Sequence, residues 1–527
     1  MLALTLATHS TQAAVTEAWV QHWNTGTPYG IEQPRIVCDA LGNVILATSA
    51  RYSAAGCDMQ VVKYSRTNGA VLWQRYYNGP GPAGNSWDVP AGLAVDANGD
   101  IVVTGKSYNA IYSYDYDYYT AKYSGTNGAI LWERRFNGGT VVGASSDTPV
   151  AVALDGSGNV IVSGTSVGDF YTTKYASTTG EQIWEQRYNG PAGSGLDGAT
   201  GLWLDFFGNA VVTGQSFTPS SSLDYYTAKY SGTDGSVLWE QSYDGPSSRI
   251  DYASAVSGDR FGNVLVTGYS HNGTNYDYYT AKYASTNGEL LWERRYDGPI
   301  NGNGSRRGED QAMGIGVDHR DNVVVVGGTD DGNHRDMYTV SYAGTDGSLI
   351  WERRYNGPGN SNDRAEVVAI DADGNVVIAG LSSKSDGTAE CYTAKYAAET
   401  GAILWEKRYA GAMEGGGAPY PKSSVSLALG VDGLVVVAFP TSGSPNTRVT
   451  TVAYREIPPL ISTIQAGSRL SLVWSTSATA FVLQSATTLA NGGDWQDSNL
   501  TPTEINGQNV ITVDATNAAG FFRLRQP

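Results

Sequence analysis

The chain is 527 residues long, 41% hydrophobic and only 16% charged, with 65 glycines and 34 tyrosines. That composition describes many short strands joined by tight turns around a large core, and it excludes a long-helix protein or a disordered chain. The net charge of −17, with no lysine- or arginine-rich run, excludes nucleic acid and anionic lipid as fitting partners. Cys38, Cys57 and Cys391 are odd in number and lack CxxC spacing, which argues against a disulfide framework or a zinc knuckle.

Residues 1–14, "MLALTLATHSTQAA", combine an apolar run with small residues before Ala13 and Ala14. A secretory leader has this form, although its basic start is missing, so the true N-terminus is expected to lie further upstream. No later stretch approaches the ~18 apolar residues of a membrane helix. The mature protein is therefore expected to be secreted, periplasmic or attached to the cell surface, without membrane insertion.

From residue 15 to 457 the chain repeats itself. "DYYTAKYSGTNGAILWERRF" (Asp117 to Phe136) returns almost unchanged as "DYYTAKYASTNGELLWERRY" (Asp277 to Tyr296). The tryptophan of this element recurs at Trp73, Trp132, Trp184, Trp239, Trp292, Trp351 and Trp405, at intervals of 52 to 59 residues. A second marker, a turn followed by apolar residues, occurs eight times, from "LGNVILAT" at Leu41 to "DGLVVVAF" at Asp432. Each period holds four strand signals separated by glycine turns, such as "AGLAVD", "DIVVTG", "DYYTAKY" and "AILWERRF". Four antiparallel strands per period of about 50 residues specify a β-propeller blade.

The eighth period ends at "RVTTVAYRE" (Arg448 to Glu456) without a tryptophan strand, while "AWVQHWNTG" from Ala18 aligns with "LWQRYYNGP" from Leu72. Trp19 thus takes the blade-tryptophan position, and the N-terminus is predicted to supply the missing outer strand. The fold class is all-β: an eight-bladed propeller of four-stranded antiparallel blades, closed by an N-terminal strand. Closure leaves no large free sheet edge, so a monomer is expected. The eight tryptophans are predicted to pack between blades, each hiding ~150–250 Å².

On "DYYTAKYSGTNGAILWERRFNGG" followed by "VALDGSGNVIVSG", the chain resembles the bacterial SBBP-type β-propeller repeat family of exported and surface proteins, over about Ala18 to Glu456. The resemblance implies a fold and an exported setting rather than an activity. "TTGEQIW" (Thr178 to Trp184) and "ETGAILW" (Glu399 to Trp405) are also similar to the tryptophan-docking motif of quinoprotein dehydrogenases. That family's usual alanine is Lys174 or Lys395 here and its vicinal cysteine pair has no counterpart, so no quinone site is carried over and no cofactor is required.

From residue 458 the repeat stops. "PPL" reads as a stiff linker, and "RLSLVW", "AFVLQSA", "NVITVDA" and "GFFRLRQ" predict a small β-sandwich over 458–527. Its ending, "AAGFFRLRQP", looks like the C-terminal modules of exported proteins of Verrucomicrobia and Planctomycetes.

Candidate chemistry concentrates on one face. Eight residues before the turn aspartate of six blades stand Asp88, Asp147, Asp197, Asp251, Asp310 and Asp363. They precede the innermost strand. The loop between second and third strands opens on the same face, called the top, and ends in Asp58, Asp117, Asp169, Asp224, Asp277, Asp336 or Glu390. Two readings stand for this acidic ring: a recognition surface that takes calcium, since hard cations prefer carboxylate oxygens, or carboxylates that accept backbone N–H bonds between blades.

The top loops break the symmetry at "SYNAIYSYDYDYY" from Ser107 and "YSHNGTNYDYY" from Tyr269. Tyr108, Tyr112, Tyr114, Asp115, Tyr116, His271, Asn272, Asn275 and Tyr276 are the candidate ligand contacts, because Tyr, Asn and Asp stack on sugar rings and bond hydroxyls. The six third-strand lysines (Lys63, Lys122, Lys174, Lys229, Lys282 and Lys395) and the glutamates after the blade tryptophans read as a structural charge lattice. No catalytic constellation is legible: there are five histidines, without metal spacing, and no GxSxG elbow.

Three functions follow in order. The first is a non-catalytic propeller binding a polysaccharide or surface protein by its acidic, Tyr-rich top face. The second is a polysaccharide-degrading enzyme on that face, whose carboxylate separation would set its stereochemistry. The third is a scaffold for cell-envelope assembly.

Overall fold

The computed structural model describes residues 15–24, 34–50, 56–80, 86–109, 116–139, 146–193, 197–219, 223–247, 249–298, 308–386, 388–413, 425–441, 448–456, 462–466, 469–475, 482–487, 495–505, 508–514 and 521–525. Among them every regular element is a strand except one helical turn at Val431–Gly433. No helix of the described residues is long and apolar enough to cross a membrane. The expected leader at 1–14 and the "PPL" linker lie outside the described residues.

Blade three shows the unit. Asp147–Leu154, Val160–Ser166, Asp169–Tyr175 and Gln182–Tyr188 pair antiparallel in chain order. The second strand is buried along nearly its whole length, because neighbouring blades cover both of its faces. Its sequence is therefore a continuous apolar run rather than an alternation. The outermost strand faces solvent at Gln182 and Ile183 and buries Trp184. Eight first strands, from Arg35–Cys38 to Ser426–Leu429, begin eight such units.

The last unit is closed from the other end of the chain. Val15–Asn24 pairs antiparallel with Arg448–Glu456, and Trp19 stands opposite Ala453 as Trp132 stands opposite Lys122. The bulge that precedes the third-strand tyrosine in the other seven blades has its equivalent here between Glu17 and Trp19. The predicted circular joint is present.

Blades are tied by a repeated fixture. Seven of the eight blade indoles donate Nε1–H to a turn carbonyl of the next blade, such as Trp73 to Gly125 at 3.1 Å and Trp132 to Ser177 at 3.0 Å. The same carbonyl accepts from the lysine ammonium, Lys63 to Gly125 at 2.9 Å and Lys122 to Ser177 at 3.1 Å. That ammonium also pairs with the bottom-turn aspartate of its own blade. Lys63–Asp39, Lys122–Asp96, Lys174–Asp155, Lys229–Asp205, Lys282–Asp259 and Lys395–Asp371 all measure 2.7–2.8 Å. Pairing of this kind is what permits six lysines to be buried. Gly128, at φ +68°, lies on the ring of Trp73, and a Cβ there would sit 2.7 Å from it. Glycine is required there both for the backbone conformation and for the close approach.

The predicted glutamates complete the lattice by accepting the hydroxyls of Tyr119, Tyr171, Tyr226, Tyr279, Tyr338 and Tyr392 at 2.6–2.9 Å. Those tyrosines stack at 3.5–4.1 Å on an outer-strand ring of the preceding blade, as Phe136 does on Tyr171. At the joint Glu456 replaces the turn carbonyl: Trp405 Nε1 donates to it at 2.9 Å and Lys395 pairs with it at 2.6 Å.

Beyond the propeller, Ser462–Ala466, Arg469–Ser475, Gln508–Asp514 and Thr503–Ile505 form one sheet, and Gln496–Asp497, Val482–Ala486 and Phe521–Arg525 a second. Leu472, Trp474, Leu483, Ile511 and Leu524, drawn from both sheets, make their shared core.

Candidate binding face

The acidic ring is built into the seams between blades. Asp88, Asp147, Asp197, Asp251, Asp310 and Asp363 are all at most 3% exposed. One oxygen of each accepts a backbone N–H from the glycine ending the preceding outer strand: Gly79, Gly138, Gly190, Gly245, Gly298 and Gly357, at 2.5–2.8 Å. In five blades the other oxygen accepts from the end of the second strand: Ser107 Oγ to Asp88, and the N–H groups of Phe217, His271, Asp330 and Ser383 to Asp197, Asp251, Asp310 and Asp363. The six aspartates thus accept hydrogen bonds across the seams, the second of the two roles their recurrence suggests. Burial, ahead of these opposing bonds, pushes Asp88 and Asp310 up to about 6.

The third-strand acids have a partner that sequence reading missed. The arginine three residues after the blade tryptophan reaches them: Arg135–Asp117 at 2.9 Å, Arg295–Asp277 at 3.0 Å, Arg354–Asp336 at 3.8 Å and Arg408–Glu390 at 3.7 Å. Blade four has Ser242 in that position. There Asp224, Asp244 and Asp251 bring a carboxylate oxygen each within 4.8 Å of one another, and Asp277, Asp297 and Asp310 do the same one blade on. Asp244 and Asp297 stand where most blades have Asn, as in "YNGP" at Tyr188 and Tyr355. That exchange is the signal from which the two triads were legible.

The candidate ligand residues fall into two clusters. In blade two Tyr108 and Tyr116 meet edge-on at 5.7 Å, and the Lys106 ammonium lies 5.1 Å from the Tyr116 ring. Tyr112, Tyr114 and Asp115 lie outside the described residues. In blade five the loop braces itself. Asn272 donates to Asn275 and Asp277 at 2.9 and 2.8 Å, and Asn275, which is buried, donates to the Gly308 carbonyl at 2.7 Å. His271 is buried too, its Nδ1 accepting from the Gly273 N–H at 2.9 Å.

What this loop holds up is aromatic. Tyr276 packs against His271 at 5.0 Å and Tyr269 at 5.3 Å, and Tyr269 stacks on Tyr252 at 5.2 Å and 11°. All three tyrosines are partly buried. Tyr252 and Tyr269 were not among the sequence candidates. Their positions are Thr148 and Thr165 in blade three and Gly198 and Gln215 in blade four, and comparison of aligned blades singles them out.

The model of the family described as outer membrane protein assembly factor BamB matches residues 57–308, somewhat under half of the chain. No curated protein matches the sequence. Among solved structures, Sqt1 from Chaetomium thermophilum aligns over 84% of this chain and 100% of its own at 11% identity and a TM-score of 0.50. BamB from Moraxella catarrhalis aligns over 84% and 98% at 14% identity and TM-score 0.43. Quinohemoprotein alcohol dehydrogenase from Comamonas testosteroni aligns over 86% and 78% at 12% identity and TM-score 0.47. At these identities the likeness is one of fold, and the fold is an all-β propeller.

Proposed function

We propose that this protein is an exported, non-catalytic propeller that binds a partner through its top face, with the blade-five tyrosines as the central contact. The observation that carries the reading is the Tyr252–Tyr269–Tyr276 cluster, partly exposed rings at the ends of three strands beside a loop whose polar groups are used to hold it rigid. Rigid aromatic area on a preformed scaffold is what recognition surfaces use, since little conformational freedom is lost on binding. The six ring aspartates are engaged by hydrogen bonds across the seams and serve that scaffold. The family model described as an assembly factor favours a protein of the cell envelope as the partner; a polysaccharide is the other ligand that stacks on such rings. Calcium, expected from the acidic face, would be held at the two aspartate triads.

The test is binding of the purified chain and its Tyr269→Ala variant to an envelope extract by cross-linking and to a polysaccharide array, each with calcium and with a chelator. Binding that Tyr269→Ala abolishes without lowering stability supports the reading. Turnover of a polysaccharide, or binding indifferent to Tyr269→Ala, overturns it.

A further inference from the structure

The opposite face carries a second departure from symmetry. The bottom turns joining first and second strands carry polar residues in four blades, Asn98 in blade two, Ser157 in blade three, His319 and Arg320 in blade six and Asp373 in blade seven, and one exposed aliphatic side chain each in blades one and eight, Leu41 and Val431. Blades four and five instead place Phe206, Phe207 and Phe261 there, 93%, 78% and 64% exposed. The two turns adjoin, since a Cβ on Gly262 would lie 3.8 Å from the Cβ of Asp205. Phe206 and Phe207 meet edge-on at 5.9 Å, and Arg260 covers one face of Phe261 at 5.0 Å. Each turn is held by its own aspartate, Asp205 and Asp259, which accepts from the turn backbone. The phenylalanines enter that scaffold through the backbone N–H groups of Phe207 and Phe261 alone, and their rings are not used in it.

We propose that this patch is the contact between two copies of the chain, related by a twofold axis that sets the blade-four turn of one copy on the blade-five turn of the other. Charge permits it. The protein is strongly acidic overall, yet the charges at the patch are matched in pairs: Asp205 with Lys229, Asp259 with Lys282 and Arg260 with Asp321. Two copies can meet here without confronting unpaired carboxylates, and salt screens the repulsion between their net charges beyond a Debye length of about 8–10 Å. Area permits it too. The three rings expose roughly 400–500 Å², so a symmetric contact with its flanking turns covers about 1,000 Å², the lower bound for specific association. A self-complementary patch of this size gives a weak, closed dimer. This departs from the monomer expected from ring closure, which removes sheet edges but says nothing of the faces.

Sedimentation equilibrium of the full chain decides it, over about 1 μM to about 0.5 mM, where so small an interface dissociates. The weight-average mass is expected to rise with concentration from 55.9 kDa toward twice that value. Phe207→Ser with Phe261→Ser, which exchange exposed rings for a residue found at this position in blade three, should hold the mass at the monomer value without shifting thermal unfolding. Leu41→Ser, on the blade-one turn, should leave association intact. A wild-type monomer at every concentration overturns the proposal, as does a dimer indifferent to the double variant. Co-sedimentation of a monomeric chain with phosphatidylcholine vesicles, lost in the double variant, would overturn it by assigning the patch to a membrane.

Discussion

Replacing Trp19 by alanine tests whether the ring is closed in solution, provided Trp239→Ala is measured beside it. The two indoles have matching surroundings: 7% and 6% exposed, Nε1 donating to the Arg66 and Ser285 carbonyls at 3.1 Å, and a glycine of the next blade, Gly69 or Gly288, against the ring. At ~25 cal/mol per Å² over the ~150–250 Å² of an indole, burial is worth about 4–6 kcal/mol. Denatured-state compaction and the retained Cβ reduce this to about 3–5 kcal/mol for each substitution. Trp239→Ala leaves the Ser285 carbonyl accepting from the Lys229 ammonium at 3.0 Å, while Trp19→Ala removes the indole donor of the Arg66 carbonyl. Trp239 sits inside a continuous blade, while Trp19 sits on a strand held to the ring only through its pairing with Arg448–Glu456 and its side chains. If that strand is docked, both variants lose the same stability in urea denaturation followed by circular dichroism. A Trp19→Ala cost below about 0.5 kcal/mol beside a full cost for Trp239→Ala would refute closure, since it means the strand is already detached and its indole solvated.

Acidity should stabilise the protein before it unfolds it. Burial raises Asp88 and Asp310 to about 6, above the ordinary ~4 of an unfolded aspartate. Their ionised forms therefore weaken the fold in full above pH 6, and the penalty, on the order of 2–3 kcal/mol each, is relieved as pH falls toward 4. Against burial, the lysine and backbone bonds of Asp39, Asp96, Asp155, Asp205 and Asp259 hold these groups below their usual value, and their stabilisation is lost as pH drops below about 4. Melting temperature should peak between about pH 4 and 6; a steady decline from pH 7 to 5 contradicts this. Glu456→Ala, which removes the acceptor of Trp405 and one partner of Lys395, should cost about 2–4 kcal/mol by urea denaturation, and Glu456→Gln less, because it keeps an acceptor for the indole; equal losses would mean that charge alone matters. Ser242→Arg should pair with Asp224 as Arg135 does with Asp117, so a calcium-induced rise in melting temperature should shrink in the variant to what the Asp277 triad supplies, and an undiminished rise means that the Asp224 triad holds no ion.

The sequence by itself determined the blade count, the strand order and the joint, because these depend on repetition. Eight turn-and-apolar markers, seven spaced tryptophans and the alignment of Trp19 with Trp73 leave one way to close the sheets. The lysine and glutamate lattice was legible for the same reason, since a group needed in nearly every blade announces itself by recurring. Its partners were not, because Lys63 meets Asp39 of its own blade and the Gly125 carbonyl of the next only when the chain folds back across 24 and 62 residues. The acidic ring read either as cation ligands or as backbone acceptors, with recurrence in nearly every blade favouring the second, and only the seam glycines, brought within hydrogen-bond reach by blade packing, show which bonds these oxygens make. Asn275 looked like a free contact and is spent on Gly308, whereas Tyr252 and Tyr269, distant in sequence and opposite in register, become one stacked surface. Local pattern decides which strands form, since burial on a pleated sheet imposes its own period; what a polar side chain does is decided by the neighbours that only packing supplies.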